Sequence, residues 1–373
     1  MFTRSKLTGC SSITIRRHLM MHTSLHADHL SMGAKMGEFA GWDMPLQYSG
    51  VKQEVLAVRQ NSGMFDVSHM GEFWVKGPDA VKFVDYIMTN DFLNAAVGKA
   101  VYSPLCRHNG TVIDDLIAYK IAPEEILICV NASNIDKDWE WIEAQTSGFK
   151  IDLTNHSEET SLIAVQGPNS SKILSELGLN TEMPVYGALK SPSSFGDVIL
   201  ARTGYTGEDG FEVFTTHKQA QDMWRALAQH GVSPCGLAAR DVLRLEACYP
   251  LYGHELSDEW TPLDAGLKWT VKLDKADFIS KAALSAYKPK FKLIKVLMER
   301  GIARDGYAVK NTNGDIIGKI TSGTMSVVLG KGVGLALVES DKAPKIGETL
   351  QISIRNQDYP ATVVKDAFLK GGK

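Results

Sequence analysis

Apolar positions change period several times along the chain. Val51–Gln60 and Pro78–Thr89 carry them at helical spacing, the second with Pro78 at its entrance, where a missing N–H is tolerated. Tyr102–Leu105, Val112–Ile121 and Ile126–Val130 predict strands, the last two joined by the short turn Ala122–Glu125. Asn134–Ala144 predicts a helix, Leu162–Val165 a strand and Pro168–Leu177 a helix. Val198–Ala201 and Phe211–Phe214 predict strands around a glycine-rich turn, followed by helices over Gln219–Gln229 and Leu237–Ala247. Beyond about residue 285 helical signals stop and short strands follow one another. There Asn313-Gly314 signals a hairpin, because that pair tolerates the positive φ of a type I′ turn. The pattern predicts a separate all-β domain of under 90 residues, with the lysine-rich stretch Lys288–Lys295 as its linker.

Composition adds bounds. With 373 residues and 44% hydrophobic content, two or three domains are expected, and a disordered chain is excluded. Charges interrupt every apolar run well short of the ~20 residues that a membrane helix needs. The net charge is −3, without the basic surplus of a nucleic-acid binder. That balance is uneven. Residues 1–24 hold Arg4, Lys6, Arg16 and Arg17, many hydroxyl side chains and no acid, the composition of a mitochondrial transit peptide. Without those four charges the chain has 36 basic and 43 acidic residues, a net −7. Cys10, Cys106, Cys129, Cys235 and Cys248 form no C-x-x-C pair and suit reduced, mostly buried thiols. The histidines are equally scattered, so no metal site is expected. Gly330-Lys-Gly-Val-Gly334 has no helix after it and reads as a turn between strands, and no P-loop is present.

Four constellations could carry chemistry. Asp114 and Asp115 are adjacent in a strand and point to opposite faces, Asp114 with Val112 and Leu116, Asp115 with Ile113, Ile117 and Tyr119. Whichever face is inward, one carboxyl has apolar neighbours and a raised pKa, which suits proton transfer to a bound amine. A strand-edge pair satisfied by backbone donors fits the residues equally well. In Arg202-Thr-Gly-Tyr205-Thr-Gly-Glu208-Asp-Gly-Phe-Glu212, three glycines allow close backbone approach. Glu212 there reads either as an acid for a pterin edge or as an exposed hairpin residue. In Gly236-Leu-Ala-Ala-Arg240-Asp241-Val-Leu-Arg244, the two arginines share a helix face, as a carboxylate clamp or a surface ion-pair network. Finally, Phe65-Asp-Val-Ser-His69-Met70 offers a histidine with no companion nucleophile, which favours a structural role. Met70 and Trp42 read as core or pocket wall.

The order and wording of these segments are more specific than any one of them. Phe39-Ala-Gly-Trp42, Met64-Phe-Asp-Val-Ser-His-Met70, Val112-Ile-Asp-Asp-Leu116, Ala164-Val-Gln-Gly-Pro168, Gly204-Tyr-Thr-Gly-Glu-Asp-Gly210, Gly236-Leu-Ala-Ala-Arg-Asp241, Arg244-Leu-Glu-Ala247, Leu251-Tyr-Gly253 and Thr321-Ser-Gly323 together resemble the aminomethyltransferase (T-protein) family of the glycine cleavage system, from about residue 25 to 365. The resemblance implies an α+β, multi-domain, cloverleaf-like folate-binding fold with a C-terminal β-barrel. It divides the chain into a leader (1–24), a catalytic region of two α+β subdomains (25–285) and a barrel (286–373).

The resemblance also implies an enzyme of the mitochondrial matrix. Its partners are tetrahydrofolate, as co-substrate, and a lipoyl carrier (H-protein) bearing an S-aminomethyl group. Asp115 matches the catalytic aspartate, Glu212 the acid at the pterin edge and Arg240 the folate-contacting arginine. Met70, Tyr102, Asn131 and Trp269 match pocket positions, and Tyr205 a wall residue. Two departures stand out: Thr324-Met325-Ser326 after Thr-Ser-Gly, and a C-terminus with Phe368 where many members carry a tyrosine. Alternatives are a non-catalytic folate-binding iron–sulfur assembly factor, whose Lys-Gly-Cys-Tyr-x-Gly-Gln-Glu signature is missing, or another tetrahydrofolate-dependent methyltransferase of the family. Since lipoyl carriers of the family are acidic and this chain is too, docking is expected at a local basic patch.

Overall fold

The computed structural model describes residues 20–369 and 371. Two antiparallel-rich sheets stack face to face and each carries helices on its outer side. The first sheet runs in the order Ala100–Cys106, Val112–Ala122, Glu125–Val130, Gly71–Lys76, Asp152–Asn155. The second runs Ala188–Ser191, Val198–Ala201, Gly210–Thr216, Thr160–Gln166, Gly63–Asp66, Ser233–Pro234. Alternation decides the layers. Tyr119, Leu127 and Cys129 turn inward to meet Leu162, Ala164 and Phe214 of the other sheet. Their strand neighbours Ala118, Ile126 and Ile128 turn outward and pack under helices Ala80–Ile87 and Ile135–Glu143. Ile163, Val165, Phe211 and Val213 lie beneath helices Ser170–Glu176 and His217–Gln229, whose Met223, Trp224 and Leu227 are fully buried. Helix His217–Gln229 begins two residues earlier than its apolar spacing predicts. Thr216 and Gln219 form a reciprocal capping box there, satisfying orphan donors of the first turn.

Beyond Lys281–Ala286 the chain closes six antiparallel strands into a barrel, from Phe291–Met298 to Gln357–Val364. The linker is shorter than its lysine content suggests. Ile294, Val296 and Met298 turn inward while Leu293, Lys295 and Leu297 lie on the other face, so Phe291–Lys295 is already barrel strand. The Asn313-Gly314 hairpin exists, between Ala308–Lys310 and Ile316–Met325. It is not a type I′ turn, since only Gly314 has positive φ. Instead the Asn311 side chain accepts the N–H groups of Asn313 (2.9 Å) and Asp315 (3.0 Å).

The N-terminal side holds elements that the apolar pattern does not predict. Helix His26–Ser31 and the hairpin Lys35–Phe39/Trp42–Gln47 precede the first predicted helix. Strand Gly63–Asp66 is buried at all four positions, which leaves no alternation to read. Most of the basic leader, residues 1–19, lies outside the described residues. Met21–Ser24, grouped with it by composition, belong to the folded body. Met21 pairs with Trp42. Thr23 donates to the buried carboxylate of Asp66 at 2.6 Å, and Gln221 donates to the Ser24 carbonyl at 2.9 Å. The four described cysteines are unpaired, and only Cys248 is partly exposed.

Candidate active site

The pair Asp114-Asp115 sits where the first sheet departs from regular pairing. Pro104 pairs with Asp115, Leu105 with Asp114, and Cys106 with Val112, so Ile113 is an extra residue in a β-bulge. The bulge shifts the expected faces by one. Ile113 joins the helix-side core, and Val112 packs beside Tyr102 on the opposite face, which is the face of Asp115. Asp114 is therefore turned into the helix layer and fully buried, while Asp115 is half-buried in the site.

Asn131 follows the strand Glu125–Val130 and reaches both acids. Its Nδ2 donates to Asp114 Oδ1 (2.8 Å) and Asp115 Oδ1 (2.9 Å), and its backbone N–H donates to Asp114 Oδ2 (3.2 Å). Two carboxyl acceptors fix the orientation of that amide. The Tyr102 hydroxyl donates to Asp115 Oδ2 at 3.0 Å, and its ring stacks on Trp269 with centroids 6.0 Å apart. Trp269 remains 56% exposed, an aromatic face with no protein cover. Burial, and then the charge of Asp114, push the Asp115 carboxyl up to about 7, against the opposing pull of Tyr102 and Asn131.

The second half of the site comes from the other sheet. Glu212 is 8% exposed, not the open hairpin residue its sequence context allowed, because its strand faces the first sheet. Thr203 Oγ1 and Tyr119 Oη (3.4 Å) both donate to its Oε2, which leaves Oε1 without a protein donor among the described residues. Gln166 clamps the glycine loop behind it, donating to the Thr203 carbonyl (3.1 Å) and accepting from Thr206 Oγ1 (2.9 Å). A Cβ on Gly204 would lie 2.0 Å from the Gln166 Oε1, so only glycine fits. Arg240, in the first turn of helix Leu237–Glu246, sits 4.9 Å over the Tyr205 ring. Its Nη1 is buried without a partner among the described residues. Tyr205 donates to the Pro250 carbonyl and stacks on Tyr249.

Direct contacts thus join Asp115, Asn131, Tyr102 and Trp269 in one group, and Tyr205 with Arg240 in another. Tyr205 feels the charge of Asp115 in the first group, and Arg240 feels that of Glu212. Met70 packs in the core between the sheets and hydrogen-bonds to none of them through its side chain. His69 is 3% exposed, and burial lowers it to about 4, so it stays neutral and is no general base near neutral pH. Arg244 is not in a surface network. It is 2% exposed and binds Asp241 (2.8 Å), Glu255 (3.1 Å) and the barrel residue Ser322 (2.9 Å). Phe368 packs on Leu245, Val333 and Leu335, a core contact. A cavity of about 500 Å³ between the sheets, lined by Trp74, Leu127, Phe214 and Lys190, contains none of the site residues. Among the described residues His22, His26 and Asp43 offer ligand atoms within 4.8 Å, but the two rings lie parallel, 7° apart, so their lone pairs do not converge.

Sequence reasoning passes over several contributors. Asp138 lies in a polar helix segment that looks exposed, and Thr203 and Tyr119 have no motif of their own. Glu72 is 1% exposed, and neither carboxyl oxygen has a partner among the described residues. Burial raises it well above the usual glutamate range, so the folded protein keeps a proton that the unfolded chain releases. Stability from this group is therefore lost as pH rises above the ordinary glutamate value. Glu72→Gln is expected to raise the unfolding free energy at neutral pH by about 1 kcal/mol. The gain should shrink as pH falls towards 4, and a gain that is constant with pH in calorimetry would contradict this assignment.

Two family descriptions match the chain: "GCVT N-terminal domain" over residues 25–275 and "Glycine cleavage T-protein C-terminal barrel domain" over 292–370. A relative in Thermotoga petrophila named "Aminomethyltransferase" is 46% identical over 362 residues, covering 94% of this chain and 98% of that one. One of the same name in Thermotoga maritima is 47% identical over 363 residues, with the same coverage. The crystal structure of glycine cleavage system aminomethyltransferase T from Bartonella henselae is 31% identical, covers 94% of this chain and 99% of its own, and superposes with a TM-score of 0.89.

Proposed function

The chain belongs to the glycine cleavage T-protein family of aminomethyltransferases, and from that premise we propose the following reaction for its site. The enzyme takes the one-carbon unit from an S-aminomethyl-dihydrolipoyl group on a carrier protein and gives it to tetrahydrofolate. The products are ammonia, 5,10-methylenetetrahydrofolate and the reduced carrier. The observation that carries this reading is the half-buried Asp115 carboxyl held between Tyr102 and Asn131, with Tyr205 near enough to feel the charges of both Asp115 and Arg240.

The side chains fit a folate. Glu212 Oε1 is open to accept from an N–H edge, and the orphaned Arg240 Nη1 donates to a ligand acceptor. Trp269 and Tyr102 offer a stacked aromatic wall. Tetrahydrofolate supplies the amine nitrogen that accepts the carbon. Asp115 takes or returns a proton at that nitrogen, and a carboxyl poised near 7 does both close to neutral pH. Tyr102 and Asn131 fix the direction in which its oxygens point. The reading is tested by ammonia release from aminomethylated carrier, with and without tetrahydrofolate. Release that does not depend on folate would overturn it.

The composition of residues 1–24 supports a mitochondrial matrix location. A reporter carrying residues 1–24 is expected to be imported by isolated mitochondria, and to stay outside when Arg4, Lys6, Arg16 and Arg17 are replaced by glutamine. Import of the neutral version would remove the basis for this assignment.

A further inference from the structure

Asp138 is fully buried in the first turn of helix Ile135–Glu143. No ordinary donor among the described residues reaches either of its oxygens. The neighbouring ammonium of Lys137 is committed elsewhere, to the Ile113 carbonyl (2.6 Å) and the Tyr252 hydroxyl (2.8 Å). What faces Asp138 is the carboxyl of Asp114, which the bulge has turned into the helix layer, close enough for one acid to hydrogen-bond the other once a proton lies between them. Two ionised carboxylates only accept, so one of the pair must hold a proton. Asp114 is the better anion, because the Asn131 backbone and side-chain amides both donate to it.

We propose that Asp138 is a positioning residue: it carries a proton, donates it to Asp114, and so fixes Asn131 and, through Asn131, the Asp115 carboxyl. The geometry forms a relay across the sheet. Asp138 holds Asp114, Asp114 Oδ1 holds one hydrogen of the Asn131 amide, and the same nitrogen holds Asp115 Oδ1. The relay also sets charge. Asp114 and Asp138 together bear one negative charge instead of two beside Asp115. Burial and the Asp114 charge hold Asp138 at about 11, so this state persists through the working range of pH. The other charged or titratable groups facing the relay are Lys137 on the helix, Tyr102 on the neighbouring strand, and Tyr252, with Asp258 and Arg107 behind it.

The inference rests on the role given to Asp115, and its test separates the two. In the wild-type protein at neutral pH, infrared spectroscopy should show a protonated-carboxyl band that Asp138→Asn removes. That readout needs no turnover, so it stands even if Asp115 proves to have another role. No band lost in the variant overturns the proposal. In turnover, Asp138→Leu leaves Asp114 without its donor, and Asp114 then takes up a proton. The repulsion on Asp115 falls, so the acid limb of the pH–rate profile should move down by about half a unit. The kcat should drop about tenfold, with the KM for tetrahydrofolate held within about twofold. Asp138→Asn retains an N–H donor and no ionisable proton, so it should restore both the rate and the profile. An asparagine variant as impaired as the leucine variant would show that ionised Asp138 is needed and would overturn the proposal. So would a leucine variant with a wild-type profile.

Discussion

Asp115→Asn is expected to lower folate-dependent ammonia release by roughly 10²–10⁴-fold, the usual contribution of a general acid or base. The substitution keeps the shape of the side chain and its bonds to Tyr102 and Asn131 within reach, while removing the proton site. Binding of tetrahydrofolate should survive, because Glu212 and Arg240 lie on other elements. The wild-type rate should fall as pH drops through about 7, where the Asp115 carboxyl takes up its proton. The residual rate of the variant should lose that limb. Stopped-time ammonia assays between pH 5.5 and 8.5, beside folate binding by calorimetry, read all three. A variant that turns over at the wild-type rate, or that keeps the limb, would remove Asp115 from the chemistry.

Arg244→Met should have the largest effect on stability. The guanidinium is 2% exposed and joins Asp241 and Glu255 to Ser322 of the barrel. Glu255 is fully buried, and without Arg244 it retains only the Leu251 N–H and the Thr321 hydroxyl. An uncompensated buried carboxylate costs about 3–5 kcal/mol. Thermal unfolding should therefore shift markedly downward, with the barrel losing its tie to the catalytic layers. Arg244→Lys keeps the charge but not the planar fork, and should recover only part of the loss. An unchanged unfolding midpoint for Arg244→Met would show that the network contributes nothing net.

What the sequence revealed, and what it hid, follow from the range of the interactions. Helix Val51–Gln60 and strand Val198–Ala201 have the bounds their apolar spacing predicts, since local periodicity decides both. Asp115 was readable as one of a pair, and the resemblance to the family chose between the two. The bulge at Ile113 was not readable. One extra residue in a strand leaves no mark in composition, yet it reverses which neighbours each acid keeps. Glu212, Arg244 and Asp138 look like surface residues because their helices and hairpins are polar nearby. Their burial comes from a second sheet, a barrel and a strand distant in the chain. Trp269 lies in a short 3-10 turn without periodic signal, and only the likeness to relatives singled it out.

The bulge has one more effect, on how the enzyme responds to its medium. The charge that raises Asp115 sits on Asp114, behind the sheet and closed off from solvent. Mobile ions screen exposed charges within about 10 Å at ordinary ionic strength, but they do not enter a dry layer. That part of the Asp115 proton affinity is thus insulated from salt and buffer. Encounter with a charged carrier, as the proposed reaction requires, would remain sensitive to both. Under the proposed reaction, ionic strength would act first on delivery of the aminomethyl group, and least on the share of the acid–base setting that Asp114 supplies.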